Sequence, residues 1–351
     1  MRRAVALLVL ATALASGACA PAQPTDVPSA TSVVSMPPTS FAPSPTTASP
    51  TTASPATPTA TQTPTTVVPA YPCGQADPLC QSLAVVQKTG IPFTSPVPCD
   101  PSGTTCVLNL DSFAPPDAKG LPVVVMIPGG PVPLGTRGYL WSLARLVAWK
   151  GAVVFTADYR SGPEWGGGYP QTFADVGCAI AYARDNAAPL GGDPSRVVLV
   201  AHSFGGFPGS VVSLSKHDFS VDEPACQAAA ANGRPDAFVG VAAVYGFDHI
   251  GADFLAQLLG GTRDAVPAHW AATDITALAG AKSHPSPEVL LLAGTADAVA
   301  PVSTADEFAA LLHAGGISVT VASVQGADHN SILTDPAALA AMTQLIGAKG
   351  Q

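Results

Sequence analysis

Residues 196–209 read R-V-V-L-V-A-H-S-F-G-G-F-P-G, and the rest of the chain falls into place around them. Val197 to Ala201 form the short unbroken apolar run of a strand buried on both faces. The run stops at His202-Ser203-Phe204-Gly205-Gly206, and beyond it the chain reads as a helix start. A serine on a tight strand-to-helix turn, backed by glycines, is a nucleophile elbow. Small residues let the backbone turn sharply and hold the hydroxyl clear of the sheet. The helix that begins there directs its free N–H groups toward negative charge developing on a bound molecule. The usual pattern is G-x-S-x-G, and Ala201 stands here for the first glycine, adding one methyl group. The competing reading of the same letters is a glycine-rich loop after a strand.

Buried strands and helices alternate on either side. Leu121 to Ile127 is a strong strand ended by Pro128-Gly129-Gly130-Pro131, and Tyr139 to Trp149 carries apolar residues at helical spacing. Ala152 to Thr156 is a strand leading through Asp158-Tyr159-Arg160 into a glycine-rich loop; Phe173 to Ala187 is helical. Beyond the elbow come strands at Ala237–Tyr245, Glu288–Ala293 and Ile317–Val324, with helices at Val302–Ala314 and Pro336–Ile346. Ser82 to Thr94 and Cys106 to Phe113 read as an opening hairpin. Such alternation implies right-handed crossovers and an α/β fold: a mostly parallel central sheet with helices on both faces. Residues 246–287 break the rhythm. They hold Trp270 and a helical run from Asp253 to Leu259, and read either as a cap over the site or as a packed excursion.

A serine hydroxyl needs a base, and the base needs a group that fixes its tautomer. In a parallel sheet such groups belong at the carboxyl ends of strands. Ser203, Asp297 and His329 each follow a strand, in the order Ser…Asp…His. Of seven histidines, His313 lies within a helix, and His202 adjoins the serine and is held in the turn, off its Oγ. Only His329 lies just past the last strand. Asp248, in F-D-H after the preceding strand, is the alternative acid to Asp297, and Asp328 is a loop or cap residue. Oxyanion donors are expected from the Phe204 N–H and from the loop after Leu121–Ile127. Gly130 is the better candidate there and Gly129 the reserve, because Pro131 has no N–H. No metal or organic cofactor is expected.

The chain has 351 residues and a net charge of −9, which argues against nucleic-acid and anionic-membrane partners. Residues 1–20 carry Arg2-Arg3, an apolar run and small residues, the layout of a secretory signal. Cys19 behind those small residues is a candidate for lipidation and a membrane tether; ordinary cleavage after Ala15 or Ala18 is the alternative. Residues 21–70 are almost all Thr, Pro, Ser and Ala and read as a disordered stalk. Residues 71–351 are long enough for one α/β domain. Their six cysteines, in a chain expected to be exported, read as disulfides. The spacing suggests Cys73–Cys80, Cys99–Cys106 and Cys178–Cys226, with other pairings open.

G-G-D-P-S-R-V-V-L-V-A-H-S-F-G-G (191–206) resembles the elbow region of the esterase/lipase branch of the α/β-hydrolases. D-Y-R-S-G-P-E (158–164) with Y-P-Q-T-F-A-D-V (169–176) resembles that branch's Y-R-L-A-P-E…D-V signature. L-L-L-A-G-T-A-D-A-V-A-P-V (290–302) resembles its acid loop and G-A-D-H-N-S-I-L (326–333) its histidine loop. The resemblance spans about residues 121–346. It implies a serine ester hydrolase, with nucleophile, acid and base at Ser203, Asp297 and His329, acting on a small-molecule, lipid or polymer ester. Two departures stand out. The branch's H-G-G-G is Pro128-Gly129-Gly130-Pro131 here, which also resembles the H-G-G-P of prolyl aminopeptidases without its histidine. Pro208 removes an N–H from the helix behind the elbow. The rival readings are a prolyl-type serine peptidase, for which Glu164 is the acidic candidate to anchor an amine, and a non-catalytic surface binding protein on a hydrolase scaffold.

Overall fold

The computed structural model describes residues 66–67, 83–131, 136–230, 232–281 and 287–347. The expected signal region with Cys19, nearly all of the expected stalk, and the pair Cys73 and Cys80 lie outside the described residues. The strands are β1 (Thr66–Val67), β2 (Val86–Pro92), β3 (Val97–Pro98), β4 (Thr105–Cys106), β5 (Asn109–Ala114) and β6 (Leu121–Ile127). They continue with β7 (Val153–Ala157), β8 (Gly192–His202), β9 (Ala237–Val241), β10 (Glu288–Gly294) and β11 (Val319–Val324). The helices are α1 (Trp141–Trp149), α2 (Gln171–Asn186), α3 (Gly206–Leu214), α4 (Ala252–Leu258), α5 (Pro267–Thr273), α6 (Ile275–Gly280), α7 (Val302–Ala314) and α8 (Pro336–Ile346).

Nine of these strands form one sheet in the order β1-β2-β5-β7-β6-β8-β9-β10-β11. The pairs β1/β2, β2/β5 and β5/β7 are antiparallel; every pair from β7/β6 to β10/β11 is parallel. The order doubles back at β7 and β6, so β6 and β8 are direct neighbours although α1, β7 and α2 lie between them in the chain. This is the α/β-hydrolase arrangement.

Successive side chains of a strand point to opposite faces. On β6, Val123, Val125 and Ile127 face a core shared with Phe173 and Ile180 of α2, Val211 of α3 and Leu312 of α7. Val124 and Met126 face the other core, with Leu143 and Val147 of α1 and Leu339 and Met342 of α8. The unbroken apolar run at 197–201 divides in the same way, which is why it shows no polar alternation.

Three local outcomes differ from the sequence reading. The expected strand Ala237–Tyr245 stops at Val241, because Ala242 turns into the left-handed region at φ +45°. The opening hairpin is β2 against β5, with the small ribbon β3/β4 set into its connection. The elbow helix begins as a 3-10 turn, Ser203–Gly205, ahead of α3. Pro208 therefore falls in the first turn of α3, where the N–H has no partner within that helix.

Two disulfides and a buried ion cluster fix the loops. Cys99 pairs with Cys106 across the β3/β4 ribbon, and Cys178 of α2 pairs with Cys226. Beside the second, Arg160 donates to Asp175 through Nε at 2.8 Å and Nη2 at 2.7 Å, and it also pairs with Glu223. All three side chains are buried. The cluster ties the loop after β7 to α2 and to the short 3-10 segment Phe219–Asp222.

The loops closed by the disulfides differ in length, with sequence separations of 48 and 7 residues. Loop-closure entropy then predicts that Cys178→Ser with Cys226→Ser costs about 4 kcal/mol, and Cys99→Ser with Cys106→Ser about 2 kcal/mol. Urea unfolding of the two double variants checks that order. Asp175→Ala leaves Arg160 short of its main counter-charge, and the same assay should show a loss of about 3–5 kcal/mol.

Candidate active site

Loops that leave the carboxyl ends of the parallel strands β6, β7, β8, β9, β10 and β11 meet around Ser203. Ser203 follows β8 directly and holds φ +54°, a conformation unusual for any residue but glycine. The turn is kept by close backbone approach. A Cβ on Gly205 would lie 2.6 Å from the Pro128 carbonyl oxygen, and one on Gly206 would lie 2.6 Å from the Ala243 Cβ. The Val244 N–H donates to the Ser203 carbonyl at 3.1 Å. Ala201, the departure from the usual pattern, is accommodated because α3 presents Gly209 to it; a Cβ there would stand 3.1 Å from the Ala201 methyl.

His329 Nε2 lies 2.9 Å from Ser203 Oγ, and its Nδ1 lies 2.9 Å from Asp297 Oδ2. The second Asp297 oxygen accepts the N–H groups of Val299 at 2.8 Å and Ala300 at 2.9 Å. Asp297 is buried, and the imidazole is largely so. The acid and histidine loops are laced together: Ala296 N–H donates to the Ala327 carbonyl, and a Cβ on Gly294 would lie 2.2 Å from that same oxygen. Asp328 accepts the N–H groups of Ser331 and Asn330, which hold its carboxyl below the usual range. It caps the turn beyond His329.

Asp248 is not brought to this group. It is exposed on the 3-10 turn Phe247–His249 and lines a cavity of about 250 Å³ with Arg263, Asp274 and Glu307. Glu164 is exposed on the 3-10 turn Pro163–Trp165.

The loop opposite the serine is set by contact. A Cβ on Gly129 would sit 2.6 Å from the Ser203 Cβ and 3.1 Å from its Oγ. A Cβ on Gly130 would sit 2.9 Å from the Ser161 Cβ. Neither glycine N–H donates a backbone hydrogen bond among the described residues. The Phe204 N–H lies in the first turn of the 3-10 segment, where no acceptor within that segment exists. The arrangement can therefore offer a hydroxyl, a base with its orienting carboxylate, and amide donors across from them. Pro128, which stands where the resembled branch has histidine, is anchored differently: the Tyr159 hydroxyl donates to its carbonyl at 3.0 Å. Burial pushes the Tyr159 hydroxyl pKa up, so it stays a neutral donor.

Several residues at the site have contacts that no motif spacing announces. Tyr159 could have been flagged only through D-Y-R, and nothing in its letter indicates the bond to Pro128. Phe254 of α4 meets the Phe204 ring edge-on at 5.5 Å, so part of the 246–287 excursion reaches the rim of the site. Tyr139 is half-exposed, stacks against His202 and donates to Asn330 Oδ1. His202 is buried, with Nε2 3.0 Å from the His329 carbonyl. Burial, the largest influence on it, pushes its pKa down to about 4.

The BD-FAE family model matches residues 110–312, more than half of the chain. Among curated proteins, the esterase LipC of Mycobacterium tuberculosis (strain ATCC 25618 / H37Rv) is 30% identical over 233 residues, covering 62% of this chain and 55% of LipC. A probable isoprenylcysteine alpha-carbonyl methylesterase of Oryza sativa subsp. japonica is 38% identical over 98 residues, covering 28% of this chain and 23% of that protein. The chain thus spans only part of the length of these relatives. Among solved structures, the propionate-bound esterase Est2 of Thermogutta terrifontis superposes with a TM-score of 0.52 at 21% identity, over 73% of this chain and 92% of that one. That likeness bears on the fold alone. With the family match, the sheet order and the elbow in agreement, the chain belongs to the BD-FAE family, in the esterase/lipase group of α/β-hydrolases.

Proposed function

We propose that the chain is an exported serine hydrolase that cleaves carboxylic esters through an acyl-enzyme. The observation that carries this reading is the continuous hydrogen-bonded run from Ser203 Oγ through His329 to Asp297, at 2.9 Å and 2.9 Å. His329 Nε2 takes the proton as Ser203 Oγ bonds to the ester carbonyl carbon. The carbonyl π electrons move onto oxygen, where the N–H groups of Phe204 and Gly130, with Gly129 in reserve, stabilise the charge. Asp297 holds the imidazole in the Nδ1–H tautomer and offsets the imidazolium charge. Collapse of the intermediate expels the alcohol, which takes the proton back from His329. Water then attacks the acyl-enzyme by the same sequence, and the acid leaves. No metal or organic cofactor takes part.

The relatives named esterases and methylesterase support an ester as substrate. Export is supported by the signal-like layout of residues 1–20 and by the two disulfides, which persist in oxidising compartments. Cys19 would carry a lipid tether if the signal is of the lipoprotein type, and residues 21–70 would then act as the stalk. The substrate would be an ester of a small molecule, a lipid or a polymer.

Ser203→Ala should lower p-nitrophenyl acetate hydrolysis by roughly 10³-fold or more and abolish labelling by a fluorophosphonate probe. A folded wild-type chain that takes no Ser203-dependent label sinks the enzyme reading. Asp297→Asn should reduce kcat far more than Asp248→Asn; the reverse order would move the acid to Asp248. Gly129→Ala pushes a methyl group into Ser203; kcat should fall about 100-fold, with the overpacking also lowering stability by about 1–3 kcal/mol in urea unfolding.

A further inference from the structure

We propose that His202 is a positioning residue: its Nε2–H clamps the main-chain carbonyl of His329 and so holds that imidazole in line between Ser203 and Asp297. The proposal rests on the esterase reading above and adds a part to it.

His202 closes β8 and is 3% exposed, so its ring is fixed by the sheet rather than by the loop it touches. Its Nε2 lies 3.0 Å from the His329 carbonyl oxygen. A carbonyl only accepts, so the proton must be on Nε2. Nδ1 is buried and has no hydrogen-bond partner among the described residues, which leaves it as the bare nitrogen of a neutral ring. The two imidazole rings stand 4.9 Å apart. A second cation at that distance would oppose the imidazolium that forms on His329; burial keeps His202 neutral and removes that conflict.

The turn around His329 is closed on itself by the Asn330, Ser331 and Ile332 N–H groups donating to Asp328, and the clamp is what joins its main chain to β8. Residues 326–328 are tied down through Thr295, Ala296 and Ser331, but those bonds stop one residue short of His329. Beyond it, the side chain of Asn330 is held by Tyr139, whose ring stacks on His202 at 5.8 Å. The carbonyl of His329 is thus the point at which the loop is joined to the strand that carries the serine. Freeing it allows the imidazole to drift, and a displacement of about 1 Å at a reacting group costs on the order of 100-fold in rate.

The test compares His202→Leu with His202→Gln in the full chain, reading kcat and KM for p-nitrophenyl acetate and the melting temperature. Leucine fills the space without a donor; glutamine restores one N–H. His202→Leu should lower kcat by on the order of 10- to 100-fold with KM within about twofold, because the clamp does not touch substrate. Its melting temperature should stay within a few degrees, and His202→Gln should return kcat to within about threefold of the wild type. A His202→Leu kcat within about twofold of wild type, or a His202→Gln kcat as low as that of leucine, overturns the proposal. Should the leucine variant fail to fold, glutamine decides alone: near-wild-type kcat supports the clamp and a loss beyond about tenfold overturns it. A wild-type chain that hydrolyses no ester overturns the esterase reading itself and this inference with it, an outcome distinct from loss or retention in the variants.

Discussion

Ser203 holds a backbone φ of +54°, where the Cβ crowds the following carbonyl at a cost of about 1–2 kcal/mol. The neighbouring chain supplies what keeps it there. β8 lies between β6 and β9, the Val244 N–H takes up the serine's own carbonyl, and Gly205 and Gly206 leave no room for any side chain. Ala242, at φ +45°, repeats the conformation at the end of the adjacent strand, where its N–H reaches the Leu292 carbonyl. Two left-handed residues side by side let the backbones of neighbouring strands turn together. The hydroxyl is thereby presented above the sheet, and Gly129 can pass within contact of it.

Much of this was legible because the chemistry sits where the sequence is punctuated. Buried apolar runs at 121–127, 197–201 and 289–293 are each followed by a glycine within four residues, and Gly129, Ser203 and Asp297 stand two, two and four residues past their ends. Those glycines mark the close approaches of backbone to backbone, and a one-dimensional reading can find them. The sequence singled out Asp297 by its place after a strand; in the structure its carboxylate folds back onto the Val299 and Ala300 amides, whereas Asp248 lies on an exposed turn.

What was not legible depends on packing between distant residues. Arg160, Asp175 and Glu223 meet across separations of 15 and 63 residues, and no spacing rule connects them. Arg137 joins Asp111 of β5 and Asp158 after β7, and so anchors the chain just beyond the Pro128–Pro131 loop. The Tyr159 bond to Pro128 and the His202 bond to His329 are of the same kind. Each links one site loop to another element: Tyr159 and Pro128 follow the neighbouring strands β7 and β6, whereas His202 closes β8 and His329 follows β11, with β9 and β10 between them. Residues 246–287 were ambiguous for a further reason. Among their described residues, ring contacts join Phe247 to Phe207 and Trp270, and Phe254 to Phe204. Such clusters leave little periodicity to read.

The sequence separation of 126 residues between Ser203 and His329 has a consequence for how the site is assembled. His329 is carried beyond β11, which among the described residues pairs with β10, and β10 pairs with β9. Until the far edge of the sheet has docked, the Ser203 hydroxyl has no imidazole beside it. Ser203 and His329 therefore meet only once β9, β10 and β11 lie side by side in the sheet.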